Sequence, residues 1–192
     1  SAGIVSATAK NKYLDGATMA IALIGISIPS FWLAIILIII FGIQLGWVSV
    51  TGGEGVKDLI LPSFCLALAP AAVLARLTRS SILEVVREDY VRTARAKGLR
   101  EIVVTARHLL RNALIPVVTV MGLQFGGMLG GTVFIESVFA RPGLGRFAVN
   151  AIAARDFPQI QGMVLFTATV YVLLNLGVDL LYGWLDPRIR YD

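Results

Sequence analysis

Four long apolar runs alternate with shorter polar segments along this chain. The runs cover residues 17–45, 59–83, 113–135 and 160–185. An α-helix rises about 1.5 Å per residue, so each run is long enough to cross a hydrocarbon core of about 30 Å. The pattern therefore predicts an all-α, polytopic membrane protein with four full spans. Residues 1–9 are too short to cross, and we interpret them as the tail of an earlier helix.

Residues 84–116, between the second and third runs, form the only long and strongly charged segment. It carries seven of the 17 basic residues: Arg87, Arg92, Arg95, Lys97, Arg100, Arg107 and Arg111. Residues 84–97 lack Pro and Gly and predict a first helix, in which Glu88 and Arg92 have the spacing of an i, i+4 ion pair. Gly98 predicts a helix end, because glycine readily adopts left-handed geometry. A second, amphipathic helix is predicted to follow, with a boundary near Pro116.

Two features inside the runs concern helix shape and packing. Pro29 predicts a kink in the first span, and the neighbouring serines are more simply explained as backbone partners than as solute contacts. Gly122, Gly126 and Gly130 are spaced four apart, which favours close helix packing. A path lined by this flat face is the alternative interpretation.

Polar side chains at the ends of the runs are further candidates. Residues 136–159 predict an outer loop with a short interfacial helix at 145–155, and Glu136 at its start is favoured as a hydrogen-bonded carboxylate over a pathway residue. Asn175 and Asp179 share one helix face, and the sequence leaves open whether they pair locally or line a pathway. The candidate set for pathway or packing is Pro29, Gln124, Gly126, Gly130, Glu136, Asn175 and Asp179.

Composition and charge agree with a membrane protein. Hydrophobic residues are 57% of the chain and charged residues only 15%, below the roughly 25% of soluble domains. The formal net charge of +5 is explained by basic residues that collect on the cytoplasmic side. We do not predict nucleic-acid binding, because no basic stripe is interleaved with exposed aromatic residues.

The distribution of basic residues predicts the orientation. Residues 10–15, 76–111 and 186–192 hold two, nine and two of them, whereas the alternate loops hold four. The positive-inside rule therefore places the charged segment and the C-terminus in the cytoplasm.

Motifs for enzymatic chemistry are missing from the sequence. One His and one Cys do not support a His/Cys metal site, and no P-loop or nucleophile elbow is present. The chain is therefore predicted to be a conduit driven by another protein and not an enzyme. A gradient-driven secondary transporter or channel, and a structural scaffold, are the alternatives.

The chain resembles the membrane-spanning permease subunits of bacterial ABC importers, specifically the dipeptide, oligopeptide, glutathione and nickel group. The resemblance is carried by DYVRTARAKGL and RHLLRNALIPVV, by GISIPSFWLAIILIIIFGIQLGW and GLQFGGMLGGTVFIESVFARPGLGR, and by VDLLYGWLDPRIR at the end. Arg92 and Thr93 stand where the family's coupling motif has Glu and Ala, and Gly98 stands at its glycine. The interval from Gly98 to Pro116 is also longer than in sugar importers, and both departures resemble the peptide branch.

The resemblance implies one type I ABC importer transmembrane domain over residues 1–192, with residues 84–116 as its coupling segment. It implies about six spans in the whole permease, so the chain is expected to be N-terminally truncated. The residues implied in coupling to an ATPase are Tyr90, Arg92, Thr93, Ala94, Ala96, Lys97 and Gly98.

The resemblance also implies the partners and the cargo. The partners are a second, non-identical permease, two cytoplasmic ATP-binding subunits and an extracytoplasmic solute-binding protein. ATP and magnesium would bind to the partner ATPase subunits, and no cofactor would bind to this chain. Peptides are the first expectation for cargo, glutathione the second and nickel the third.

Overall fold

The computed structural model describes residues 12–49 and 55–185 as a series of helices. The bounds are α1 Lys12–Ser27, α2 Ser30–Leu37, α3 Ile60–Val85, α4 Asp89–Ala96, α5 Glu101–Val103, α6 Leu110–Val138, α7 Leu144–Ala153 and α8 Phe157–Leu185. The π-helical stretch Ile38–Gln44 prolongs α2, a 3₁₀ turn at Val56–Leu59 leads into α3, and π-helical Val104–Leu109 joins α5 to α6. The described residues contain no β-strand, which confirms the all-α class. The predictions for residues 1–9 and for the tail at 186–192 lie outside the described residues.

Three continuous helical stretches are long and apolar enough to cross a membrane. They are Val56–Val85, Glu101–Met128 and Phe157–Leu181. These stretches correspond to the second, third and fourth predicted spans. Their large apolar side chains are widely exposed, for example Leu165 at 71% in α8, as suits helices whose surroundings are lipid or other helices.

The first predicted span is not one continuous helix. α1 ends at Ser27 and α2 begins at Ser30, and Pro29 between them is extended, with φ −61° and ψ 133°. The Pro29 carbonyl accepts the first hydrogen bond of α2, from Leu33 N at 3.0 Å, so the proline starts a new helix instead of kinking an old one. α1 and the prolonged α2 are bent at this break and form a broken span or a re-entrant loop. The prediction of four full spans is therefore corrected to three continuous spans and this broken pair.

The contacts within the chain divide it into two compact units. The first unit contains residues 71–123 and the described parts of 1–24 and 175–192. Its buried cluster is formed by Ile82, Val91, Ala94, Val104, Leu109 and Ala113. The second unit contains residues 25–70 and 124–174. Its buried cluster is formed by Ala34, Leu61, Cys65, Ile135 and Phe139.

Candidate functional site

The charged segment contains a short helix that begins later than the sequence predicted. α3 runs to Val85, and α4 begins at Asp89 after Glu88, which is extended with ψ 143°. The prediction of a Glu88–Arg92 ion pair is wrong, because Glu88 lies outside the helix. Arg92 Nη1 instead lies 3.6 Å from Asp89 Oδ1, and the two side chains are 75% and 97% exposed, so this pair contributes little to stability.

The end of α4 follows the prediction for Gly98. Gly98 has a φ of +75°, the left-handed region that glycine enters without steric cost. Leu99 N donates to Ala94 O at 3.4 Å and Gly98 N donates to Arg95 O at 2.9 Å. These two bonds form a Schellman motif, which satisfies carbonyls at the end of the helix. A Cβ added at Gly98 would meet no atom within 4 Å, so only the backbone conformation requires glycine here.

One face of α4 is buried against its neighbours in the first unit. Val91 is 0% and Ala94 is 5% exposed, and both lie in the cluster with Ile82, Val104 and Leu109. Ala94, which the family motif implied in coupling, is therefore covered by this chain itself. The sequence analysis missed Val91, although the spacing of three between Val91 and Ala94 is a helical signal for a buried face.

Two side-chain pairs also attach α4 to the following helices. The Asn112 side-chain amide donates a hydrogen bond to the Tyr90 hydroxyl at 2.8 Å. The Arg95 guanidinium donates to both carboxylate oxygens of Glu101, at 2.8 Å and 3.4 Å. Asn112 and Glu101 were not among the predicted site residues, because their partners are set by tertiary folding.

The remaining predicted residues lie on the outer surface of the segment. Arg92, Thr93, Ala96 and Lys97 are all exposed. The Thr93 hydroxyl is used locally, donating to Asp89 O at 2.9 Å. The outer face of α4 is thus small and basic, a shape and charge that suit docking into a groove with acidic character.

The helix after Gly98 continues directly into the third span. α5, the π-helical stretch Val104–Leu109 and α6 follow one another without a break. The predicted boundary near Pro116 is wrong, since Pro116 lies inside α6. A spanning helix tolerates an internal proline, although Pro116 cannot donate to the Asn112 carbonyl four residues before it. The charged segment is therefore connected to the third span by continuous helix.

The pathway and packing candidates are divided between the two units. Pro29, Gln124, Gly126, Gly130 and Glu136 belong to the second unit, and Asn175 and Asp179 belong to the first. Asn175 is half-buried and Asp179 is exposed.

The glycines of α6 differ in what they contact. A Cβ at Gly122 would lie 2.9 Å from Val178 Cγ2, and one at Gly126 would overlap the Tyr171 ring. Close packing against α8 therefore explains these two positions. Gly130 has open space instead, and with Gly126 and Tyr171 it lines an apolar cavity of about 500 Å³.

Glu136 acts as a helix cap in the second unit. Its Oε2 accepts a hydrogen bond from Arg146 N at 2.9 Å, and Arg146 lies in the first turn of α7. A carboxylate at a helix N-terminus is stabilised by the exposed N–H groups and the helix dipole. This geometry agrees with the favoured interpretation of Glu136 as a hydrogen-bonded carboxylate. The predicted helix at 145–155 is confirmed as α7.

Within residues 12–49 and 55–185, no three His, Cys, Asp or Glu side chains come together in a way that could hold a metal ion.

Comparison with known proteins gives two relatives whose sequences align with the whole chain. The glutathione transport system permease protein GsiC of Escherichia coli (strain K12) is 49% identical over 191 residues, which are 100% of this chain and 62% of that protein. The dipeptide transport system permease protein DppB of Alkalihalophilus pseudofirmus is 47% identical over 219 residues, which cover 100% of this chain and 66% of that protein. The chain thus spans less than two thirds of the length of these relatives.

The fold and the family are shown by two further comparisons. The solved MetNI methionine ABC transporter, in an inward-facing conformation, matches with a TM-score of 0.73 at 18% identity, covering 96% of this chain and 84% of that chain. This match confirms the predicted transmembrane-domain fold of a type I ABC importer. Residues 1–191 also match the family described as "Binding-protein-dependent transport system inner membrane component". The chain therefore belongs to the family of binding-protein-dependent transport system inner membrane components.

Proposed function

We propose that this chain is the greater part of a permease subunit of an ATP-driven importer in the bacterial inner membrane. The permease forms half of a translocation pathway, and a second, non-identical permease forms the other half. It does not hydrolyse ATP. The proposal is supported by the family, by relatives named as glutathione and dipeptide permease proteins, and by the geometry of the charged segment.

The observation that carries this proposal is the two-sided character of α4. Val91 and Ala94 fasten one face of the helix to the first unit, while Arg92, Thr93 and Ala96 remain on the surface. A simple membrane anchor needs positive charge but no ordered helix with an apolar inner face. A helix fixed from within and free outside is suited to bind a partner and to pass on its movement.

We assign the outer face of α4, with Lys97 and the turn at Gly98, as the docking site for a cytoplasmic ATP-binding subunit. Two such subunits would bind ATP and magnesium and drive the pathway between its inward-facing and outward-facing states. The excess of basic residues around this segment supports a cytoplasmic location for it, and for the C-terminus. An extracytoplasmic binding protein would deliver the solute on the opposite side.

The cargo we propose is a small peptide. Glutathione is itself a tripeptide, so the names of both relatives point to one chemical class. Within this class we place ordinary peptides first and glutathione second, and a nickel chelate outside the class third. Uptake of labelled dipeptide, glutathione and nickel by the complete transporter, compared in one assay, separates these three.

The test of the docking site compares two variants, each with one exposed alanine replaced by tryptophan. Ala96 is exposed in α4, and Ala153 is exposed at the end of α7. Ala96→Trp adds a large ring to the docking face without entering the buried cluster, so the permease is expected to insert normally but to lose the ATP-binding subunit on co-purification. Ala153→Trp, the matched control, is expected to keep that subunit.

Full retention of the ATP-binding subunit by Ala96→Trp would move the docking site away from α4. If the intact permease co-purifies with no ATP-binding subunit at all, the gradient-driven transporter or channel becomes the better assignment.

A further inference from the structure

The two polar attachments of α4 lie on opposite sides of its buried face. Successive residues of an α-helix are rotated by about 100°. On this scale Tyr90 and Arg95 lie roughly 70° to either side of the direction shared by Val91 and Ala94. Apolar contacts have no preferred direction, so the buried face alone would let α4 rock about its own axis. The two side-chain bonds oppose that rotation from both sides.

The attachment through Tyr90 differs in kind from the one through Arg95. Both pairs are exposed to water, so the difference lies in what they join. Arg95 and Glu101 are six residues apart, and their pair only bridges the turn at Gly98. Tyr90 and Asn112 are 22 residues apart. Their bond joins α4 directly to α6, the helix that continues into the membrane.

Asn112 lies between two irregular points of this continuous helix. The π-helical stretch Val104–Leu109 comes just before it. Pro116 has no N–H, so it cannot donate the hydrogen bond that the Asn112 carbonyl would normally accept. The Asn112 side chain also lies 3.4 Å from His108 O, so it spans this turn as well as reaching Tyr90. A movement that arrives at Asn112 therefore acts beside a point where α6 lacks a backbone hydrogen bond.

We propose that Tyr90 and Asn112 are positioning residues that make α4 and the first turn of α6 move as one body. Through their hydrogen bond, a displacement of α4 also displaces the spanning helix α6. Without the bond, α4 rotates on its apolar face and α6 does not move with it. ATP hydrolysis would then proceed with less solute imported. This inference rests on the proposed function and reassigns Tyr90 from the docking face to the inner attachment.

The experiment measures coupling in the complete transporter. The permease pair, ATP-binding subunits and binding protein are reconstituted in liposomes, with radiolabelled dipeptide and radiolabelled glutathione as the probes. The quantity compared is solute imported per ATP hydrolysed. Tyr90→Phe and Asn112→Leu are each expected to lower this ratio about fivefold, which is the order of one net hydrogen bond. The double variant is expected to be no worse than either single variant, because both remove the same bond.

Two further variants separate coupling from simple structural damage. Asn112→Asp keeps a partner for Tyr90, whose hydroxyl then donates to the carboxylate, so it is expected to retain the ratio. The double variant Asn112→Asp with Tyr90→Phe should again import less solute per ATP hydrolysed. Arg95→Met removes the other attachment and is expected to change the ratio less than twofold.

Unchanged coupling in Tyr90→Phe and Asn112→Leu would overturn the inference, and so would losses that add in the double variant. Loss of the ATP-binding subunit from Tyr90→Phe would also overturn it, since Tyr90 would then be part of the docking face. Failure of the unmodified permease to bind an ATP-binding subunit would instead refute the proposed function itself, so the two failures are distinguishable.

Discussion

The short helices α4 and α7 lie before and after α6 in sequence, and they are held in different ways. Besides its buried apolar face, α4 is held by two side-chain pairs, Tyr90–Asn112 to α6 and Arg95–Glu101 to α5. α7 follows α6 and has the Glu136 side-chain cap, but it is also in backbone contact with α6, because a Cβ at Gly145 would lie 2.6 Å from Val133 Cα. Side-chain pairs can lengthen and re-form, whereas backbone in van der Waals contact cannot yield without separation of the helices.

The same contrast appears in how the helices end. α4, α6 and α7 all end in a Schellman motif with a left-handed residue. In α4 this residue is Gly98, but in α6 and α7 it is Ala140 (φ 49°) and Arg155 (φ 55°). Glycine makes the turn without strain, while the other two residues hold a conformation that costs about 1–2 kcal/mol each. The left-handed turn is thus unstrained at the end of α4 and strained at the two turns on either side of α7.

The strongest test of this contrast is Gly145→Ala in α7. The added Cβ would enter the space of the Val133 backbone, so α7 must move away from α6, at an expected cost of about 3 kcal/mol in the free energy of unfolding. Thermal unfolding of the purified permease measures this cost.

Gly162→Ala provides the matched control for Gly145→Ala. A Cβ at Gly162 in α8 would meet nothing within 4 Å, and alanine is the better helix former by about 0.5–1 kcal/mol. The two variants should therefore shift the melting temperature in opposite directions. Equal and small shifts would show that α7 is not rigidly packed, and the comparison with α4 would lose its basis.

The second test concerns Gly98 and function. Gly98→Val places a β-branched residue at φ +75°, which we expect to cost about 2 kcal/mol and to misalign the docking face. The permease should still insert in the membrane, because the spans are untouched, but solute import by the complete transporter should fall severely.

Gly98→Asn is the control for this effect, since asparagine is the side chain that best tolerates left-handed geometry. No atom lies within 4 Å of the added Cβ, so any difference between the two variants comes from the backbone and not from a clash. Import at the unmodified level by Gly98→Val would contradict the role of this turn.

The three continuous spans and the turn at Gly98 could be predicted from sequence because their causes are local. A helix that crosses lipid needs a long apolar run, and such runs are visible without knowledge of the fold. The left-handed turn needs glycine or a residue of similar freedom, and Gly98 follows an unbroken helical stretch. The family resemblance added the type I ABC importer fold, which the apolar runs alone do not specify.

The start of α4 and the partners of Tyr90 and Arg95 could not be predicted in this way. Residues 84–97 are all compatible with helix, so nothing local marks the break before Asp89. The break is explained by packing, since the chain must turn after Val85 to bring Val91 and Ala94 onto the cluster around Ile82. A contact across 22 residues, such as Tyr90–Asn112, depends on that fold. Pro116 led to the opposite error. A proline disfavours helix at the preceding residue, so a helix boundary was predicted there, but the helix continues through Pro116.

The smallest test uses Ala140, the left-handed residue that ends α6. Arg141 N donates to Glu136 O at 2.8 Å and Ala140 N donates to Ser137 O at 3.3 Å. These bonds form the Schellman motif, in which glycine is the usual left-handed residue. Ala140→Gly removes the strain of φ 49° but increases the freedom of the unfolded chain, for a net gain of about 0.5 kcal/mol. Ala153→Gly, at the last residue of α7, should instead lower the stability. If Ala140→Gly lowered the melting temperature as Ala153→Gly does, the strain at the end of α6 would be absent, and α4 and α7 would differ only in how they are packed.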